Sequence, residues 1–116
     1  WCVQYFKIDD IIPSVGQGIL AIEARNGDDN QYLLDSVHNE DSSWAACAER
    51  AYMVRLNGGC TTPIAAHAVI EGESMKLYAM LASEDKNKVY RAYLKGCKSD
   101  ARNLGLELAD LILKQL

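Results

Sequence analysis

The second half of the chain predicts an α+β domain, with helices packed on one face of a three-stranded antiparallel sheet. Three observations carry that reading. Apolar-rich runs at Ile64 to Ile70, Lys76 to Ala82 and Val89 to Leu94 are separated only by short polar turns, the pattern of a meander. A helical i, i+4 series precedes them, and a second apolar stripe of helical period follows them.

Taken in order, Cys2-Val3-Gln4-Tyr5-Phe6 predicts a short strand, and Pro13 biases Ile12 toward extended geometry. After Gly16-Gln17-Gly18, the nearly continuous apolar run Ile19-Leu20-Ala21-Ile22 predicts a strand buried on both faces. Such a strand needs neighbours on each side. Asn26 to Asn30 is rich in turn formers, Tyr32 to Val37 fits a helix of two turns, and a boundary is expected near His38.

Asp41-Ser42-Ser43 offers several N-cap candidates for a helix in which Trp44, Ala48 and Tyr52 recur at i, i+4. This helix is expected to end at Asn57, with Gly58 in the left-handed C-cap conformation. Alternation is clearest in the middle strand, with Leu77, Ala79 and Leu81 against Lys76, Tyr78 and Met80. Ser99-Asp100 opens a last helix whose stripe is Ala101, Leu104, Leu108, Leu111 and Ile112.

Composition limits the function classes. The chain has 116 residues, 49% of them apolar and 24% charged, enough for one modest core. A net charge of −4, with lysines and arginines dispersed, argues against a nucleic acid or an anionic membrane as partner. No run of eighteen apolar residues and no signal-peptide layout is present, so a soluble cytoplasmic protein is expected. Cys2, Cys47, Cys60 and Cys97 show no close pairing and read as free thiols. The opening at Trp1, without Met and inside an apparently extended segment, suggests a fragment of something longer.

Few residues stand out chemically. Cys60 follows two glycines on a loop between a helix and a strand, which suits outward projection; a small buried hydrophobe is the alternative. Gly58 is explained by the helix end, whereas Gly59 allows close approach to the backbone. A thiol beyond a helix C-terminus feels the polarity that disfavours thiolate, so Cys60 is not an activated nucleophile on that ground. Gln17, between glycines, marks either a tight strand entry or a contact to a cleft, and Arg25 either a ligand-carboxylate contact or a solvated strand end. Glu49 and Arg50 are adjacent on a helix and cannot face each other; one of them ties the helix to its surroundings. His38 and His67, taken with Cys47 or Cys60, match no zinc spacing, and no metal site is expected.

Two segments resemble the porphobilinogen deaminase family. Pro13-Ser14-Val15-Gly16-Gln17-Gly18-Ile19 through Glu23-Ala24-Arg25 is similar to its signature, in which Pro-Ala-x-Gly-Gln-Gly-Ala precedes a strand and a Glu-x-Arg. Ala48-Glu49-Arg50-Ala51-Tyr52 with Leu56-Asn57-Gly58-Gly59-Cys60-Thr61-Thr62-Pro63-Ile64 resembles its cofactor-attachment segment. Departures fall at Ser14, Ile19 and Asn57, and none alters the Gly-Gly-Cys.

The resemblance implies a dipyrromethane cofactor held by a stable thioether on Cys60, with Gly59 and Gln17 as further cofactor-binding residues. It implies deamination of porphobilinogen to an azafulvene, attack by the terminal pyrrole α-carbon, and repetition until four units are joined and hydroxymethylbilane is released. It places the catalytic aspartate and the cofactor-binding arginines upstream, so no catalytic residue is expected here and the chain alone is expected to be inactive. It assigns residues 1–14 to the tail of a second domain, 15–38 to the close of a first, and 39–116 to a C-terminal attachment domain. A monomer is expected at full length, and self-association for the chain alone. Two other readings remain open on the residues: a free-standing α+β binding or regulatory module, and a thiol or metal protein built on the cysteines.

Overall fold

Three strands and a helix pair order the second half of the chain as its pattern predicts. The computed structural model describes residues 1–58, 63–85 and 87–116. Helices α1 (Gln31–Val37) and α2 (Glu40–Arg55) are followed by strands β1 (Ile64–Glu71), β2 (Ser74–Ala82) and β3 (Val89–Cys97). A 3-10 turn at Lys98–Asp100 leads into α3 (Ala101–Leu113). The sheet has the order β1-β2-β3 and is antiparallel throughout, with Ala68 opposite Leu77 and Leu77 opposite Leu94. This is the predicted α+β architecture.

The period-2 alternation decides which face is covered. Ala66, Ala68, Met75, Leu77 and Ala79 turn toward α2 and α3 and join Ala48, Tyr52, Leu104, Leu108 and Ile112 in one core. Tyr52 is fully buried, yet its hydroxyl donates to the Met80 carbonyl at 2.9 Å, so the ring enters the core without an orphaned polar atom. Burial also pushes the Tyr52 pKa up, which keeps that donor protonated. On the opposite face, Lys76 Nζ lies 4.7 and 4.4 Å from the ring centroids of Tyr78 and Tyr93.

α2 and α3 run side by side in the same direction: Lys98 reaches Asp41 near their starts (2.8 Å), and Arg55 reaches Asp110 near their ends (2.9 Å). Gly105 permits this closeness, because a Cβ there would collide with the Ala48 carbonyl oxygen and crowd Ala51.

Several expectations need correction. Cys2 to Phe6 and Ile19 to Ile22 form no strand; Leu20 and Ile22 are exposed, at 94% and 62%. A two-faced strand requires partners, and the described chain supplies none beside it. The cap of α2 is Asn39, whose side chain accepts from the Ser42 N–H at 2.8 Å, and not Asp41, Ser42 or Ser43. At its other end Asn57, not Gly58, adopts the left-handed conformation (φ 52°). Leu111, predicted for the stripe of α3, is partly exposed, while Gly105 and Ala109 are buried. Among the described residues no helix is long and apolar enough to cross a membrane.

Candidate functional site

The segment joining α2 to β1 has two fixed ends. The Gly58 N–H donates to the Met53 carbonyl at 2.9 Å and the Asn57 N–H to the Val54 carbonyl at 3.0 Å. With Asn57 left-handed, this is a Schellman closure, in which asparagine stands where glycine is commoner. Gly58 is crowded for a different reason: a Cβ there would press on the Ile64 Cδ1 methyl, which would have to shift. At the far end, the Pro63 carbonyl accepts from the Ala82 N–H at 2.9 Å, extending the β1–β2 ladder to the loop's exit. Cys60 and Gly59, the two candidate cofactor-binding residues of this loop, lie outside the described residues.

Gln17 lines a cavity of about 330 Å3, together with Gly18, Asp41, Ser42, Ala45, Glu49 and His67 among others. Gln17 closes its own turn: its N–H donates to the Ser14 carbonyl at 3.0 Å, and its side-chain oxygen accepts from the Ser14 N–H at 3.2 Å. Gly16 and Gly18 flank it with φ of 77° and 84° and open space where a Cβ would stand, so they serve backbone conformation. Among the described residues, neither Gly58 nor Pro63 lines this cavity.

Glu49 forms the floor of the same cavity and is 1% exposed. Burial pushes its pKa up to about 7, against hydrogen bonds from the Gly16 and Ala68 N–H groups that favour the charged form. It ties the Ser14–Gly18 turn and the open edge of β1 to α2, the anchoring role expected of one member of the Glu49-Arg50 pair; Arg50 points to solvent. Its inward position has a sequence signal that the i, i+4 reading overlooked, since Glu49 is four residues after Ala45 and three before Tyr52. His67 lines the cavity too, and burial lowers its pKa. Arg25 lines a different, smaller cleft, with Asn26, Asp28 and Gln31. Cys2, Cys47 and Cys97 are free thiols.

The decisive comparison is with protein families. The family model described as porphobilinogen deaminase, C-terminal domain, matches residues 44–114, more than half of the chain and both flanks of the Cys60 loop. The chain belongs to the porphobilinogen deaminase family. Curated porphobilinogen deaminases extend the similarity upstream of the matched domain. That of Clostridium novyi is 40% identical over 115 residues, covering 98% of this chain and 38% of the relative. Those of Syntrophotalea carbinolica and Coxiella burnetii are 35% and 38% identical over 111 and 112 residues, again about a third of the relatives' length. The chain thus spans well under half of the deaminases that it matches. Membership in the family does not favour a free-standing binding module.

Proposed function

We propose that this chain is the cofactor-bearing part of a hydroxymethylbilane synthase, in which Cys60 holds a dipyrromethane through a thioether. The reaction is the head-to-tail joining of four porphobilinogen molecules into hydroxymethylbilane with release of ammonia. Supporting this reading is the family match across residues 44–114, which brackets the Gly58-Gly59-Cys60-Thr61-Thr62-Pro63 loop. Residues 1–14, 15–38 and 39–116 are then parts of a second, a first and a third domain, in that order.

The loop's surroundings fit such a group. Its two ends, at Gly58 and Pro63, are pinned by backbone hydrogen bonds, so a group attached between them is held near one place. Its position past a helix C-terminus does nothing to favour a thiolate leaving group, which suits a bond made once and kept. When bound, the dipyrromethane supplies the pyrrole α-carbon from which the chain is extended. The protein's described part contributes the rigid ends that hold the attachment point, and Gln17, with Gly59, is assigned to cofactor binding. General acid catalysis and carboxylate recognition fall to residues outside this chain.

In a protein of the relatives' length, Cys60→Ser is expected to abolish stable cofactor attachment and reduce activity to background, because a hydroxyl is a poorer nucleophile than a thiolate. Mass spectrometry of the purified variant and a porphobilinogen turnover assay test it. A variant that carries the cofactor and turns over normally contradicts the assignment. The 116-residue chain alone is expected to form no hydroxymethylbilane from porphobilinogen.

A further inference from the structure

The seam between α2 and α3 carries an imbalance of charge. At one end Lys98 is matched by Asp41, and at the other Arg55 by Asp110. Between these pairs, Arg50 from α2 and Arg102 from α3 line one groove of about 280 Å3, whose remaining lining is Cys47, Ala51, Val54 and Leu106. Neither arginine has an acidic residue one helical turn away: Ala46, Cys47, Met53 and Val54 surround Arg50, and Lys98, Ser99, Gly105 and Leu106 surround Arg102. Among the described residues no carboxylate lines the groove, in a chain with 16 acidic residues against 12 lysines and arginines. Two guanidinium groups beside an apolar lining leave positive charge without a carboxylate partner, and their planar forks suit one.

We propose that this groove binds a small amphipathic carboxylate, with an aromatic or aliphatic body laid on Ala51, Val54 and Leu106 and its carboxylate shared by Arg50 and Arg102. The volume is near the lower end of ligand pockets, which limits the body to about the size of a bicyclic ring. This site is separate from the Cys60 loop and does not depend on the cofactor reading. Cys47, half-buried in the same wall, provides a reporter.

The experiment uses 2-naphthoate as probe, with neutral 2-naphthamide as its control, on the 116-residue chain. Alkylation of each cysteine by iodoacetamide is followed by peptide mass spectrometry. Naphthoate is expected to slow alkylation of Cys47 saturably and to leave Cys2 and Cys97 unaffected. Arg50→Gln and Arg102→Gln each raise the half-saturating concentration about tenfold, the loss of one charge-assisted hydrogen bond. Both side chains are exposed, so circular dichroism should match the parent; if one variant fails to fold, the other carries the test. Equal protection by naphthamide, or protection unchanged in both arginine variants, overturns the proposal. So does protection by poly-glutamate without protection by naphthoate, which would assign the groove to an acidic protein partner.

Discussion

Glu49 is the side chain whose ionisation the fold controls most directly. Its carboxyl titrates near 4.5 when unfolded and near 7 when folded, because burial penalises the charge more than the Gly16 and Ala68 N–H groups stabilise it. The folded state therefore retains a proton that the unfolded chain releases. The resulting stabilisation is complete below about pH 4.5 and is lost as pH rises through 7, a change on the order of 3 kcal/mol. Urea unfolding at pH 4.5, 6 and 8 is expected to show this decline, and Glu49→Gln to remove it. An unchanged pH slope in the variant would mean that the carboxyl is solvated. Asn57 offers a second test at this scale: Asn57→Gly should raise stability, and Asn57→Ala lower it, by about 1 kcal/mol each, because alanine lacks the local hydrogen bonding that lets asparagine tolerate a left-handed backbone. Equal thermal midpoints for parent and both variants would contradict that reading. Sequence reasoning placed this helix end at Asn57, two residues beyond Arg55 where it stops, and assigned the left-handed position to Gly58, since it weighed glycine's freedom and not the tolerance of asparagine for that backbone.

At the scale of elements, the helix pair rests on Gly105. A methyl group at that position meets a backbone carbonyl of α2, which cannot rotate away, so Gly105→Ala should cost about 1–3 kcal/mol despite its better helix propensity. Thermal unfolding checks this; a stabilised variant would mean that the helices separate easily. The same packing explains what could be read in α3 beforehand. Leu104, Leu108 and Ile112 were legible because they face the sheet, whereas Gly105 and Ala109 are buried by α2 and show no hydrophobic signal of their own. The three strands were legible for the opposite reason: alternation alone decides which side of each faces the core. Ile19 to Ile22 misled because an apolar run marks a need for burial without supplying the elements that meet it.

For the whole molecule, the Cα radius of gyration of 15.7 Å exceeds the roughly 13 Å given by compact-domain scaling. Residues 1–37 contain no buried residue. They hold ten of the sixteen large apolar side chains exposed among the described residues, and their described ties to the rest include the Val15 contact with the core, the Gly16–Glu49 hydrogen bond and the Arg91 bonds to the Asp9 and Asp10 carbonyls. Exposed apolar side chains on backbone outside any sheet favour association. Light scattering is expected to rise with concentration for the 116-residue chain and to stay flat once residues 1–37 are removed; a chain that remains monomeric throughout contradicts this. The Cys60 assignment was legible only through the resemblance of its loop to a family, because a thiol past a helix end carries no chemical signature of its own. It is tested most directly by mass spectrometry of the peptide containing Cys60 from a natively purified protein of the relatives' length. The account predicts two thioether-linked pyrrole units on Cys60 and unmodified thiols at Cys2, Cys47 and Cys97; a bare Cys60 in an enzyme that turns over porphobilinogen would contradict it.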